Sequence, residues 1–130
     1  FSLTDISTGE SDMLGSRIKT GSWIKHKEFY FNPLSFIRGE KIIKKALNAK
    51  VDLIVLDELG PMELAGKGWI EAIKMLENDF NIAQVWVVRE RIVTEVKDRW
   101  HIPDENIYSI ESTTFIELMD QIKKFLAKKG

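Results

Sequence analysis

The sequence predicts an α/β fold in which a mostly parallel sheet is flanked by helices and preceded by an antiparallel hairpin region. Val51–Leu56 (VDLIVL) and Gln84–Val88 (QVWVV) are short, almost continuously apolar, β-branched runs, the pattern of strands buried on both faces of a parallel sheet. Between and after them lie segments with apolar residues at helical spacing, so strand and helix alternate from residue 51 onward. Before residue 32 the chain instead breaks into short alternating pieces separated by turn residues, which is hairpin grammar.

The 130 residues amount to one domain, divided into a hairpin region at 1–31 and an α/β core at 32–130. The first region holds Phe1–Ser7, Asp12–Ser16, Lys19–Ser22 and Glu28–Phe31, with Thr8-Gly9-Glu10 as its first turn; these pieces make two to four small strands. Trp23, between Gly21 and Lys25, falls in a loop. Asn32-Pro33 then opens a helix. Asn is a good N-cap, and Pro at the first helical position lacks an N–H that would have no helical partner there. This helix runs to about Ala49, with Phe36, Ile43, Ala46 and Leu47 on one face and Arg38, Glu40, Lys41, Lys44 and Lys45 toward water.

Gly66–Asp79 is predicted helical, with Trp69, Ala72, Ile73, Leu76 and Phe80 on one side. Ile92–Trp100 is a shorter helix carrying Val93, Val96 and Trp100 at helical spacing, and Asn106–Ile110 (NIYSI) reads as a third strand. Thr114 and Glu117 form a capping box that opens the last helix, whose core face is Phe115, Leu118, Met119, Ile122, Phe125 and Leu126. Lys123, Lys124, Lys128 and Lys129 near its end suit the negative pole of the helix dipole. Trp69, Trp86 and Trp100 take core-facing positions.

Twenty acidic against 19 basic residues give a net charge of −1, and no basic face interleaves with aromatics, so nucleic acid is not an expected partner. Without cysteine there is no disulfide, zinc-thiolate site or cysteine nucleophile, and a cytoplasmic setting fits. No apolar run approaches the roughly 18 residues of a membrane span. His26 and His101 read as loop residues without a metal-spaced partner.

Leu53–Leu64 (LIVLDELGPMEL) is the most specific segment. A hydrophobic strand ending in Asp57-Glu58 puts two carboxylates at the carboxyl edge of a parallel sheet, where α/β proteins bind ligands. In phosphoryl transfer, an Asp at a strand end can hold Mg²⁺ directly or through its water shell. An adjacent carboxylate can orient and polarise the attacking water. Acidic residues after a strand also serve as solvated ends or helix caps, so the pair by itself leaves both readings open.

The octet Asp57-Glu58-Leu59-Gly60-Pro61-Met62-Glu63-Leu64 resembles the D-E-[IL]-G-x-M-E-[LF] signature of a small nucleoside-triphosphatase family, named from thermophiles and represented in humans by the cancer-related nucleoside-triphosphatase. More loosely, Phe1–Ser16 is similar to the family's hairpin after its second strand. Phe29–Leu47, Gln84–Trp100 and Ile107 onward extend the likeness over nearly the whole chain. The resemblance implies a P-loop NTPase-like fold and Mg²⁺-dependent hydrolysis of a nucleoside triphosphate to the diphosphate and phosphate. It implies Asp57 as the magnesium-associated Walker B aspartate and Glu58 as the carboxylate that activates water. Arg89 stands near a basic residue often found at the end of the following strand and is a candidate γ-phosphate contact, with a surface ion pair as its simpler role. Glu63 matches a family position best read as helix entry or loop anchor.

The sequence contains no G-x-x-x-x-G-K-[ST] cradle for phosphates; Gly15-Ser16-Arg17 and Gly66-Lys67-Gly68 come nearest, and neither follows a predicted buried strand. In the family that motif precedes the hairpin. The expectation is therefore a C-terminal portion of such a domain, lacking the first strand and P-loop, inactive alone and weak in nucleotide binding. Its exposed sheet edge would be closed by the neighbouring strands, by a second copy in a homo-oligomer or another partner, or by the missing N-terminal segment. The alternative is a non-catalytic α/β module that lost its P-loop and binds a protein.

Overall fold

In the computed structural model, residues 2–79 and 81–129 are described. Phe1, expected in the first strand, and Phe80, expected on a helix face, lie outside them. The hairpin region holds five short strands: β1 (Ser2–Thr4), β2 (Ser11–Met13), β3 (Gly15–Ser16), β4 (Ile24–His26) and β5 (Phe29–Phe31). β1 pairs antiparallel with β2, and β5 lies between β3 and β4, antiparallel to both. The β1–β2 turn is closed by Asp5, whose carboxylate accepts the Ser7 amide at 2.9 Å and the Ser7 hydroxyl at 2.6 Å. Lys19–Ser22 is turn rather than strand; β4 forms after Trp23 and includes His26, which is therefore a strand residue and not a loop one.

Helix α1 (Pro33–Asn48) begins as its sequence dictates, with Asn32 Oδ1 accepting the Leu34 amide at 3.1 Å. The same end is tied to the hairpin. Ser35 Oγ and Asn32 Nδ2 donate to the Met13 carbonyl at 3.0 and 3.3 Å, and Arg38 pairs with Glu10 at 2.9 Å and with Asp12.

Strands β6 (Leu53–Leu59) and β7 (Ala83–Val88) form the parallel pair, in register from Leu53 opposite Ala83 to Asp57 opposite Val87. Between them run the single-turn helix α2 (Pro61–Leu64) and helix α3 (Ile70–Glu77); a 3₁₀ turn (Glu90–Ile92) and helix α4 (Val93–Trp100) follow. Residues 66–69 are not helical as expected, because Gly66 and Gly68 adopt φ of 74° and 62°, which a right-handed helix cannot accommodate.

Ile54 and Leu56 point into the core. Leu56 and Leu59 pack with Ile73, Ile92 and Val96, against which Trp69, Trp86 and Trp100 lean; Ile54 packs with Leu76 and Ile82, flanked by Ile43, Ala46 and Leu47 of α1. The three tryptophans are thus core-facing but only half-buried. Trp86 meets Trp100 edge-on at 5.6 Å, and Trp100 Nε1 donates to Glu77 at 2.8 Å.

The expectation of burial on both sheet faces is not met. Val55 is 56% and Val87 41% exposed, since the core helices cover the Ile54–Leu56 face and the pleat turns Val55 the other way. Nor is Asn106–Ile110 a strand. Asp104–Asn106 is a 3₁₀ turn, the Ser112 and Thr113 amides close a turn onto the Ser109 carbonyl, and Ile110 is 86% exposed. The parallel sheet among the described residues is β6–β7 alone, and a single extended segment without a neighbouring ladder has nothing to satisfy its backbone groups.

Helix α5 (Phe115–Lys129) starts on its capping box: the Thr114 amide donates to Glu117 at 2.8 Å, and the Glu117 amide donates to Thr114 Oγ1 at 3.2 Å. Its apolar face is less covered than its pattern suggests, with Leu118, Met119, Ile122 and Leu126 half-buried and Phe115 75% exposed. Among the described residues no helix is long and apolar enough to cross a membrane.

Candidate active site

Asp57 and Glu58 lie within the last turn of the pleat of β6, not beyond it. Asp57 pairs with Val87, and the register then shifts so that Leu59 pairs with Val88, leaving Glu58 as an extra residue in a bulge. Bulges re-aim side chains at strand ends. Asp57 is exposed, Glu58 half-buried, and Leu59 fully buried at 0% exposure, so the carboxylates sit at the surface while the residue after them is anchored in the core.

Arg89 follows β7 directly. Its Nε donates to Glu58 Oε1 at 2.6 Å, and its Nη2 lies at the same distance from that oxygen. The parallel register brings together residues 31 apart in sequence. The hydrogen bond that Arg89 donates to Glu58, and then the negative charge of Glu58, push the Arg89 guanidinium further above its already high range, so Arg89 is a permanent cation. The carboxyl edge of the parallel pair thus carries two carboxylates and a guanidinium on adjacent strands. Asp57 has no hydrogen bond or ion pair to another side chain among the described residues.

Glu63 is the residue whose contacts the sequence discloses least. It is 4% exposed, and both carboxylate oxygens are engaged: Oε2 accepts the Gly60 amide at 2.9 Å and Oε1 the Trp69 amide at 3.1 Å. The first contact follows from the Gly60-Pro61-Met62-Glu63 spacing, an N-cap with Glu three residues on. The second depends on the 66–69 turn folding back. A Cβ on Gly68 would overlap Glu63 Oε1, and a Cβ on Gly39 would overlap the Trp69 ring, which also meets Phe36 edge-on at 4.9 Å. Arg99 of α4 donates to the Leu64 carbonyl at 2.6 Å and holds the far end of α2.

Among the described residues no group of three or more His, Asp or Glu side chains forms a metal cage. Asp57 alone would offer Mg²⁺ a single carboxylate, and this ion is commonly held by one or two carboxylates together with waters and substrate phosphates. The two glycine segments nearest a phosphate loop are used otherwise: Gly15-Ser16 is β3, hydrogen-bonded to β5, and Gly66-Lys67-Gly68 is the turn that seats Glu63. A cavity of about 730 Å³ lies in the hairpin region, lined by Ser11, Asp12, Arg17 and Phe29 among others, and includes none of Asp57, Glu58 and Arg89.

A family model described as NTPase matches residues 1–123. The chain is 35% identical over 80 residues to the nucleoside-triphosphatase THEP1 of Methanosarcina barkeri, and 36% identical over 81 residues to that of Methanosarcina acetivorans; each match covers 61% of this chain and 44% of the relative. It is 24% identical over 126 residues to the nucleoside-triphosphatase THEP1 of Methanopyrus kandleri, covering 94% of this chain and 67% of the relative. The chain therefore spans under half the length of the two Methanosarcina relatives it matches. No solved structure matches it. An octet at the end of a parallel strand, the carboxylates it exposes and a family match over nearly the whole chain agree, and the chain belongs to the NTPase family.

Proposed function

We propose that the protein carrying these residues hydrolyses nucleoside triphosphates to the diphosphate and phosphate, with Asp57, Glu58 and Arg89 acting at the γ-phosphate. The observation that carries the reading is their convergence on one sheet edge, Asp57 opposite Val87 and Arg89 bonded to Glu58. Asp57 is the residue to hold Mg²⁺, directly or through its water shell. When bound, the ion would neutralise charge on the phosphate oxygens and align them. Glu58 orients the attacking water and takes its proton as the water oxygen bonds to the γ-phosphorus. The bond to the bridging oxygen breaks, and the electron pair leaves with the diphosphate. Arg89 offsets the negative charge on the γ-phosphoryl oxygens.

We assign the phosphate cradle to sequence outside residues 1–130, which makes them the C-terminal portion of a P-loop NTPase-like domain, acting in the cytoplasm and weak in nucleotide binding alone. The greater length of the matched relatives supports a further segment. The cradle-bearing segment would also cover the second edge of β6, which has no strand beside it among the described residues. The test is phosphate release by the full-length protein from a nucleoside triphosphate. Release should require Mg²⁺ and fall at least about 100-fold in Asp57→Ala; absence of Mg²⁺-dependent release overturns the reading. A second reading, a non-catalytic module that binds a protein, draws on the exposed Val55 and Val87 beside Asp57. It predicts no release in the same assay.

A further inference from the structure

Glu63 takes no part in the chemistry above, yet it is the most buried carboxylate in the structure's described residues, at 4% exposure. Burying a carboxylate carries a large desolvation cost, and a neutral Ser or Asn at position 60 would cap the short α2 without one. What a buried carboxylate can do, and a neutral N-cap side chain does not, is accept charge-assisted hydrogen bonds from two separate pieces of chain at once. Its two donors are the amides of Gly60, two residues after Glu58, and of Trp69, the residue before α3.

Each end of this clamp is itself fixed. On one side Leu59 is fully buried between Glu58 and Gly60. On the other the Trp69 ring lies against Gly39 and Phe36 of α1. Gly68, having no Cβ, leaves the space that Oε1 occupies. An unbroken line of contacts thus runs from the Glu58 bulge through Gly60, Glu63 and Trp69 to α1.

We propose that Glu63 is a positioning residue: by holding Gly60 and Trp69 together it fixes the bulge that presents Glu58, and so keeps the Glu58 carboxylate at its working distance from Arg89 and the reacting water. The proposal rests on the hydrolytic reading of Asp57 and Glu58. Glu63 itself exchanges no proton with substrate.

The variant that tests it is Glu63→Gln, which keeps the size of the side chain but turns an NH₂ toward one of the two amide donors. Two measurements are made. In the full-length protein, hydrogen exchange at the Gly60 and Trp69 amides should quicken by at least about tenfold while the Leu56 and Val85 amides keep their protection. In the full-length protein, kcat per folded molecule should fall by about 10- to 100-fold, with KM for the nucleotide within about threefold and an unchanged pH–rate profile, as misplacement of a catalytic group requires. Unchanged exchange at both amides overturns the proposal, as does a kcat within twofold of the parent. A shifted pH–rate profile also overturns it, since it would mean that Glu63 handles a proton. Should Glu63→Gln not fold, Gly68→Ala, which displaces the carboxylate without removing it, is read by the same measurements and limits. If full-length Glu58→Gln turns over normally, the hydrolytic reading fails, whereas the exchange result still reports on the clamp.

Discussion

Arg89 reaches Glu58 Oε1 with both Nε and Nη2 at 2.6 Å, joining the end of β7 to the bulge in β6. The two side chains are 51% and 37% exposed, so water screens the pair and its share of folding stability is under about 1 kcal/mol. Its consequence is positional. Arg89→Ala should lower the unfolding free energy of the full-length protein in urea by no more than that, yet lower its kcat for phosphate release roughly 100-fold. A turnover loss no larger than the stability loss would reduce Arg89 to a surface ion-pair partner.

Gly39 lets the Trp69 ring lie against the backbone of α1, where a Cβ would overlap it. Alanine is the better helix former by about 1 kcal/mol. Overpacking should outweigh that gain, and Gly39→Ala should destabilise the chain by about 1–3 kcal/mol. Urea unfolding followed by tryptophan fluorescence checks the sign: a stabilised variant would mean that the ring does not sit there.

Gly66 and Gly68 form a natural comparison. Both have positive φ, 74° and 62°, but the space beside Gly66 is open whereas a Cβ at Gly68 meets Glu63 Oε1. Gly66→Ala should cost about 1–2 kcal/mol, the strain of a left-handed alanine. Gly68→Ala should cost that and more, by at least about 1 kcal/mol, because it also disturbs a buried carboxylate. Equal losses in urea unfolding would remove the Glu63 contact from the explanation.

The capping box of α5 gives a pH dependence. The Thr114 amide, and after it the Thr114 hydroxyl, hold the Glu117 carboxyl below its ordinary value of 4.5. A carboxyl whose folded value is depressed contributes stability above its unfolded value and loses that contribution as pH falls through the folded value. Carbon NMR should therefore place the Glu117 midpoint below 4.5. Amide protection at the start of α5 should decline as pH falls through that midpoint, and Thr114→Val should raise the midpoint. An unchanged midpoint in that variant would show that the hydroxyl has no part in the cap.

What the sequence discloses here is local. Asn32-Pro33 and the Thr114–Glu117 box place helix starts because each cap is made within a few residues of itself. The Gly60–Glu63 contact is legible for the same reason, whereas Glu63 to Trp69 is not, since it depends on two left-handed glycines turning the chain back. Arg89 to Glu58 needs the parallel register, which no short-range pattern encodes. NIYSI has the alternation of a strand, but alternation describes a face and not a neighbour, and no ladder among the described residues receives it. Leu53–Leu56 is apolar throughout, yet the described helices cover Ile54 and Leu56 while leaving Val55 exposed.

The hydrolytic reading turns on Glu58 activating water for attack on a nucleoside triphosphate. Single-turnover phosphate release by full-length Glu58→Gln tests it most directly, because glutamine keeps the shape of the side chain and removes the base. Nucleotide binding should stay within a few-fold of the parent, and turnover should fall at least about 100-fold. Turnover within a few-fold of the parent, with the variant folded and nucleotide bound, would contradict it.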